Sequence, residues 1–214
     1  MVVMGNVEEL TEALKAVEDE LNLAKRVYLA FPFIFWAAVI PMLYLLGNVL
    51  PWTSEWFRNS FGGYGGMILS TLAIIWFVAE ESGMIKKVES LERVLGTPRK
   101  RSKGYMVSQI AGWFLAGMLA FVFSLATPAQ YEFKTAEFML LLAGLGVGFM
   151  ALSSLLFLRR IEWPQVLVSI ITLSALYPLA HLEGAMNPQA FSVMVVSASF
   201  AFGGFLYVKR AMRE

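Results

Sequence analysis

The chain has no cysteine, one histidine and a single aspartate, Asp19, and each shortage removes a class of chemistry. Without cysteine there can be no disulfide, thiolate metal site or cysteine nucleophile. One histidine cannot supply a bis-histidine haem site or a histidine-rich metal site. One aspartate excludes enzymes whose paired aspartates share a proton or hold a metal–diphosphate. The sequence therefore predicts no cofactor, no metal site and no catalytic residue.

Charge is also absent from six long apolar blocks, although the chain as a whole is 15% charged. Hydrophobic residues make up 58% of the 214 positions, more than is usual in a soluble domain. A run of about 18 apolar residues can cross the hydrocarbon layer as a helix. We therefore predict an all-α, polytopic integral membrane protein whose six transmembrane helices form one bundle over residues 27–209. The blocks are Val27–Val49, Phe61–Ala79, Tyr105–Thr127, Phe138–Leu158, Trp163–Ala180 and Gln189–Val208.

The few polar groups near the ends of these blocks do not form a recognisable catalytic set. Ionisable groups inside a membrane mark proton relays, ion pathways and voltage sensors, so their absence argues against ion-coupled transport. The adjacent Glu80 and Glu81 are better explained by ion pairing or solvation. His181 and Glu183 lie in a predicted loop, and two side chains are too few for a metal site. We expect a non-enzymatic protein.

Basic residues predict the orientation of the helices. All 17 lysines and arginines except Arg58 and Lys134 fall before helix one, after helix six, or in the connections between helices two and three and between helices four and five. Positive charge is enriched in cytoplasmic loops. Both termini, including a short tail at 210–214, are therefore predicted to be cytoplasmic in a multi-pass protein of the cell membrane. The first 26 residues are acidic and polar, so we expect no cleavable signal peptide.

A tryptophan precedes a proline by fifteen positions at three places in the sequence: Trp36–Pro51, Trp113–Pro128 and Trp163–Pro178. One interpretation is an internal repeat of three helical hairpins around a pseudo-threefold axis, as parallel repeats occur in some transporters. The other is that the two residue types recur independently, tryptophan for packing and proline to end a helix.

Residues 1–26 have a heptad pattern that continues into the first apolar block. Such a pattern predicts a cytoplasmic amphipathic helix, beginning near Asn6, whose apolar seam forms a coiled-coil contact. The contact could be with a second copy of the chain, with another membrane or cytoplasmic subunit, or with the basic segment 84–104 of the same chain. We expect four seam residues to make it: Leu10, Leu14, Val17 and Leu21.

The second cytoplasmic segment, 84–104, combines a short helical extension of helix two with a basic link. Clusters of basic residues beside a membrane attract anionic lipid headgroups, so we expect lipid contact but no role in nucleic-acid binding. The expected headgroup contacts are Arg99, Lys100, Arg101 and Lys103. Glycine clusters at Gly62–Gly66 and Gly144–Gly148 predict close helix packing.

No motif in the sequence identifies a family. The leading hypothesis is a binding or transport subunit for an apolar or weakly polar small molecule or lipid. The alternative is an assembly or regulatory subunit that acts through the heptad helix, and a membrane enzyme is the weakest of the three.

Overall fold

The computed structural model describes residues 2–49, 65–95, 103–128, 131–182 and 186–212. These residues are 92% helical and include no strand, which confirms the all-α prediction. A π-helical turn, Leu45–Val49, follows the first helix. The helices are α1 (Val2–Tyr44), α2 (Gly65–Val94), α3 (Lys103–Ala126), α4 (Tyr131–Leu158), α5 (Trp163–Ser174), α6 (Leu176–Ala180) and α7 (Pro188–Ala211).

Five helical segments are long and apolar enough to cross a membrane. The second predicted crossing, 61–79, lies partly outside the described residues, and α2 is not among these five. The N-terminal heptad segment and the first apolar block form one continuous helix, α1. The five segments are Glu9–Gly47, Val107–Ala126, Phe133–Leu158, Trp163–Ala180 and Pro188–Arg210.

The predicted crossing 163–180 is helical but not continuous. It divides at Ala175 into α5 and the short α6. Pro178 explains the division, because proline has no N–H to donate to the carbonyl of Ser174 and its ring would clash with that carbonyl. The chain therefore re-forms a helical turn after the break.

The core lies where α1, α4, α5 and α7 meet. Its most buried side chains include Phe33 from α1, Leu140 from α4, Val168 from α5 and Val196 from α7, each no more than 4% exposed. Helix α2 packs mainly on the opposite side of α1, and α3 packs mainly on α4. The main contacts therefore form a row. Helix α2 packs on α1, α1 packs on α7, α7 packs on both α4 and α5, and α4 packs on α3.

This row does not support the predicted internal repeat. Sequence-adjacent helices do pack as pairs, but the pair α1–α2 and the pair α3–α4 are joined chiefly through α7 and not in a ring. The tryptophans are also not equivalent. Trp36 contacts the rings of Phe35 and Phe77 far inside α1, whereas Trp163 is the first residue of α5 and is 60% exposed. Pro51 lies outside the described residues.

Helix α3 exposes most of its apolar side chains. Ile110 and Phe114 are 70% and 71% exposed. The opposite face is a stripe of small residues, Gly112, Ala116, Ala120 and Ser124, which is buried against α4. Apolar exposure on this scale is uncommon on a monomeric soluble protein and is expected of a helix that faces lipid. Together with the five apolar segments, it supports a membrane protein.

Candidate functional site

The connection between α4 and α5 places two charged side chains, Arg160 and Glu162, near the end of α7. It consists of residues 159–162, and the chain reverses within this length because Arg159 adopts a left-handed backbone with φ 52°. A non-glycine residue rarely adopts this conformation. The turn presents Arg160 outward, 52% exposed, and Glu162 inward, 3% exposed.

Glu162 connects this turn to α7. Its Oε1 lies 2.6 Å from Nε of Arg160, and its Oε2 lies 3.9 Å from a guanidinium nitrogen of Arg210. Its backbone carbonyl accepts hydrogen bonds from the amides of Gln165 and Val166, which begin α5. A buried carboxylate is costly unless it is paired, so the close contact with Arg160 helps to explain how Glu162 is tolerated there, although its Oε2 has no hydrogen-bond partner among the described residues. Both guanidinium groups therefore lie near the same carboxylate, and that of Arg160 is in close contact with it.

Polar side chains from four helices, α3, α4, α5 and α7, lie near this turn. The hydroxyl of Tyr105 lies 3.3 Å from Oγ of Ser154, which donates to Oε1 of Gln165 at 3.4 Å. Ser154 and Gln165 are almost completely buried. Tyr207 of α7 is 3% exposed, and its hydroxyl has no hydrogen-bond partner among the described residues. Hydrogen bonds thus join the ends of α3, α4 and α5 in a polar cluster, and Glu162 lies between this cluster and Arg210 of α7.

A shallow groove of about 550 Å³ lies directly beside this cluster. Its walls come from the start of α5 and the end of α7. All of its lining residues are apolar except one cation, and they are Ile161, Trp163, Pro164, Leu167, Leu206 and Arg210. Trp163 and Leu167 remain 60% and 38% exposed. The groove thus offers an apolar surface to an alkyl or aromatic group and a guanidinium to a polar or anionic group.

The predicted partner residues of the heptad seam divide into two halves. Leu10 and Leu14 are 62% and 46% exposed, Val17 is half-buried, and Leu21 is 4% exposed. Leu21 and Val88 are both buried where α1 packs on α2. The described contacts therefore do not support a coiled coil along the whole seam, because α2 ends at Val94 and covers only part of it.

Polar contacts fix the α1–α2 pairing. Lys25 Nζ lies 2.8 Å from a carboxylate oxygen of the 7%-exposed Glu92, and Lys87 lies 3.0 Å from Glu20 on the surface. Of the pairings left open for the heptad helix, the one with segment 84–104 of the same chain is thus present over its helical part.

The other residues singled out in the sequence have local structural roles. The hydroxyl of Tyr28 donates to Glu81, and the indole N–H of Trp76 donates to Glu80. The ring of His181 is exposed, with Nδ1 2.9 Å from the carbonyl of Tyr177. Glu183 lies outside the described residues. No group of three potential metal ligands occurs within the described ranges.

Three of the four predicted headgroup contacts lie outside the described residues. Arg99, Lys100 and Arg101 fall in the undescribed segment 96–102, and Lys103 is the first residue of α3. Their contact with lipid stays a prediction.

The glycines of α4 pack closely, as predicted. A methyl group at Gly144 would lie 2.7 Å from Leu173, and one at Gly148 would lie 2.9 Å from Oγ of Ser169. Ser169 also donates to the carbonyl of Gly144 at 2.8 Å. Of the other predicted cluster, residues 62–64 lie outside the described ranges.

Sequence reasoning missed Glu162 and the groove. The charge pattern of the sequence assigns Arg159 and Arg160 only to the predicted orientation of the helices. It assigns no role to Glu162, which lies between them and Pro164. The available signal was an acid directly before a helix-starting proline and beside two arginines, at the end of an otherwise uncharged block.

Comparisons with known proteins do not supply an identity. No protein-family model matches the chain, and neither a curated protein nor a solved structure matches it.

Proposed function

We propose that the chain is a non-catalytic multi-pass membrane protein that binds, or helps to transport, an apolar or weakly polar small molecule or lipid. The observation that carries this proposal is the groove between the start of α5 and the end of α7. It joins an apolar wall to the guanidinium of Arg210, which lies 3.9 Å from the buried carboxylate of Glu162. Such a combination suits an amphiphile, whose two ends need different surroundings.

The proposal includes six membrane crossings, with α2 as the sixth, and cytoplasmic termini. The exposed apolar side chains of Leu72 and Ile75 on α2, 55% and 58% exposed, support its contact with lipid. The groove then lies at the cytoplasmic border, since Arg159, Arg160 and Arg210 are part of the predicted inner positive charge.

Cysteine labelling tests this topology, and no native cysteine competes with the introduced one because the chain has none. Single cysteines replacing Asn6 and Glu214 should resist an impermeant thiol reagent in intact cells and react after the cells are opened. Reaction of either cysteine from outside would contradict the proposed orientation.

Photolabelling tests the binding site. A phosphatidylcholine with a diazirine in its acyl chain should label peptides from residues 161–167 and 206–210 more strongly than the lipid-exposed face of α3. Leu167→Trp adds bulk to the groove wall and should remove this excess, whereas Phe114→Trp on α3 is the matched control. Equal labelling of the groove and the α3 face would contradict a dedicated site.

A second function is favoured by a different observation, the exposure of Leu10 and Leu14 in the heptad seam. We propose as the alternative that this uncovered half of α1 holds a partner subunit or a second copy of the chain. Cross-linking from a cysteine at position 14 should then trap a defined species in membranes, and Leu10→Ala should weaken it. Recovery of the monomer alone would contradict the alternative.

A further inference from the structure

The edge of the groove carries more positive than negative charge. Arg210 lines the groove and Arg160 lies close to it, and both are near the single buried carboxylate of Glu162. The side chains of Arg160 and Arg210 stay 52% and 56% exposed although both lie near Glu162. Part of each arginine side chain therefore faces the surrounding medium.

The apolar wall begins beside these guanidinium groups. Ile161 directly follows Arg160, Trp163 comes two positions after Ile161, and Leu206 lies one helical turn before Arg210. The groove thus sets cationic donors at one end of an apolar surface. Guanidinium groups bind phosphate oxygens through paired hydrogen bonds. Phosphatidylcholine carries the same phosphate, but its quaternary ammonium cancels that charge and would lie close to the arginines, so a headgroup with a net negative charge suits the site better.

We propose that the groove binds a phospholipid with a net anionic headgroup, its phosphate held by Arg210 with Arg160 nearby and an acyl chain against Trp163, Leu167 and Leu206. This inference rests on the proposed function and specifies its ligand class. The site differs from the basic link at 99–103, because it combines the cations with an apolar surface. Glu162 is a positioning residue, since it pairs with both arginines and faces away from solvent.

The test compares two photoreactive lipids with identical diazirine acyl chains, a phosphatidylglycerol and a phosphatidylcholine, on the full-length protein in nanodiscs. The phosphatidylglycerol should label peptides 161–167 and 206–210 about fivefold more than the phosphatidylcholine. One basic side chain near a membrane changes the affinity for an anionic lipid by about that factor. Arg210→Gln should remove this preference. Arg93→Gln, which loses the same charge on the exposed end of α2, should leave it unchanged.

Arg160→Gln provides a second variant if Arg210→Gln gives little folded protein, and it should lower the preference at least twofold. An excess of soluble glycerol phosphate should not displace the anionic lipid, because the apolar contact would be missing. Displacement by glycerol phosphate would overturn the lipid assignment in favour of a free phosphate site. Equal labelling by both lipids would overturn the anionic preference but keep the proposed function, whereas no excess groove labelling by either would contradict both.

Discussion

Replacing Leu21 by alanine should open the contact between α1 and α2, whereas replacing Leu14 should not. The two leucines occupy equivalent positions in the same heptad seam, one heptad apart. Their exposed fractions, 4% and 46%, differ because α2 covers only the first of them.

The size of the effect follows from burial. A buried leucine-to-alanine change costs about 2–5 kcal/mol, and the lower end applies to a contact between two helices that can relax. A loss of about 2 kcal/mol corresponds to about 25-fold faster local opening. An exposed substitution usually stays within about 0.5 kcal/mol, or about twofold.

Hydrogen exchange in detergent measures this directly. Amides in 18–28 of α1 and 84–92 of α2 should exchange about 25-fold faster in Leu21→Ala, and about as in the wild type in Leu14→Ala. Equal acceleration in both variants would refute the divided seam and favour a partner on its N-terminal half. No change in Leu21→Ala would refute the packing of α1 on α2.

Two further predictions concern helix packing. Gly146→Ala should lower the stability of the protein by about 1–3 kcal/mol, because the added methyl would overlap the ring of Trp113, whereas Gly83→Ala meets nothing within 4 Å and should raise it by about 0.5–1 kcal/mol. Thermal unfolding in detergent tests the pair, and a stable Gly146→Ala would show that α3 and α4 are not so closely packed. A double-mutant cycle on Lys25 and Glu92 should give a coupling of about 1 kcal/mol, since Glu92 is buried but Lys25 remains 40% exposed. A coupling near zero would mean that the ion pair does not hold α1 to α2.

Much of the helical architecture could be predicted from hydropathy, because a chain in lipid must satisfy its backbone hydrogen bonds within helices. Three of the six uncharged blocks, 105–127, 138–158 and 189–208, correspond to α3, α4 and α7. The division of the fifth block at Ala175 was foreseeable in principle from Pro178, whose effect is local. The row arrangement of the helices could not be predicted in this way. It depends on which helix faces pack against each other, and a recurring Trp–Pro spacing does not indicate those faces.

The site could not be predicted for a related reason. Leu14 and Leu21 are the same residue type at equivalent heptad positions, and only the length of α2 distinguishes their surroundings. Likewise, the sequence places Glu162 in a charged connection, where exposure is the usual expectation. Its burial depends on α7 bringing Arg210 and Tyr207 to the same end of the bundle.

Native mass spectrometry of the detergent-purified protein tests the proposed function most directly, since it reports subunit number and retained ligand together. We predict that the wild-type chain keeps one amphiphile-sized adduct after delipidation and that Leu167→Trp loses it, while Phe114→Trp does not. A wild-type chain without any adduct, or one whose adduct is unaffected by Leu167→Trp, would contradict the assignment of the groove as a binding site.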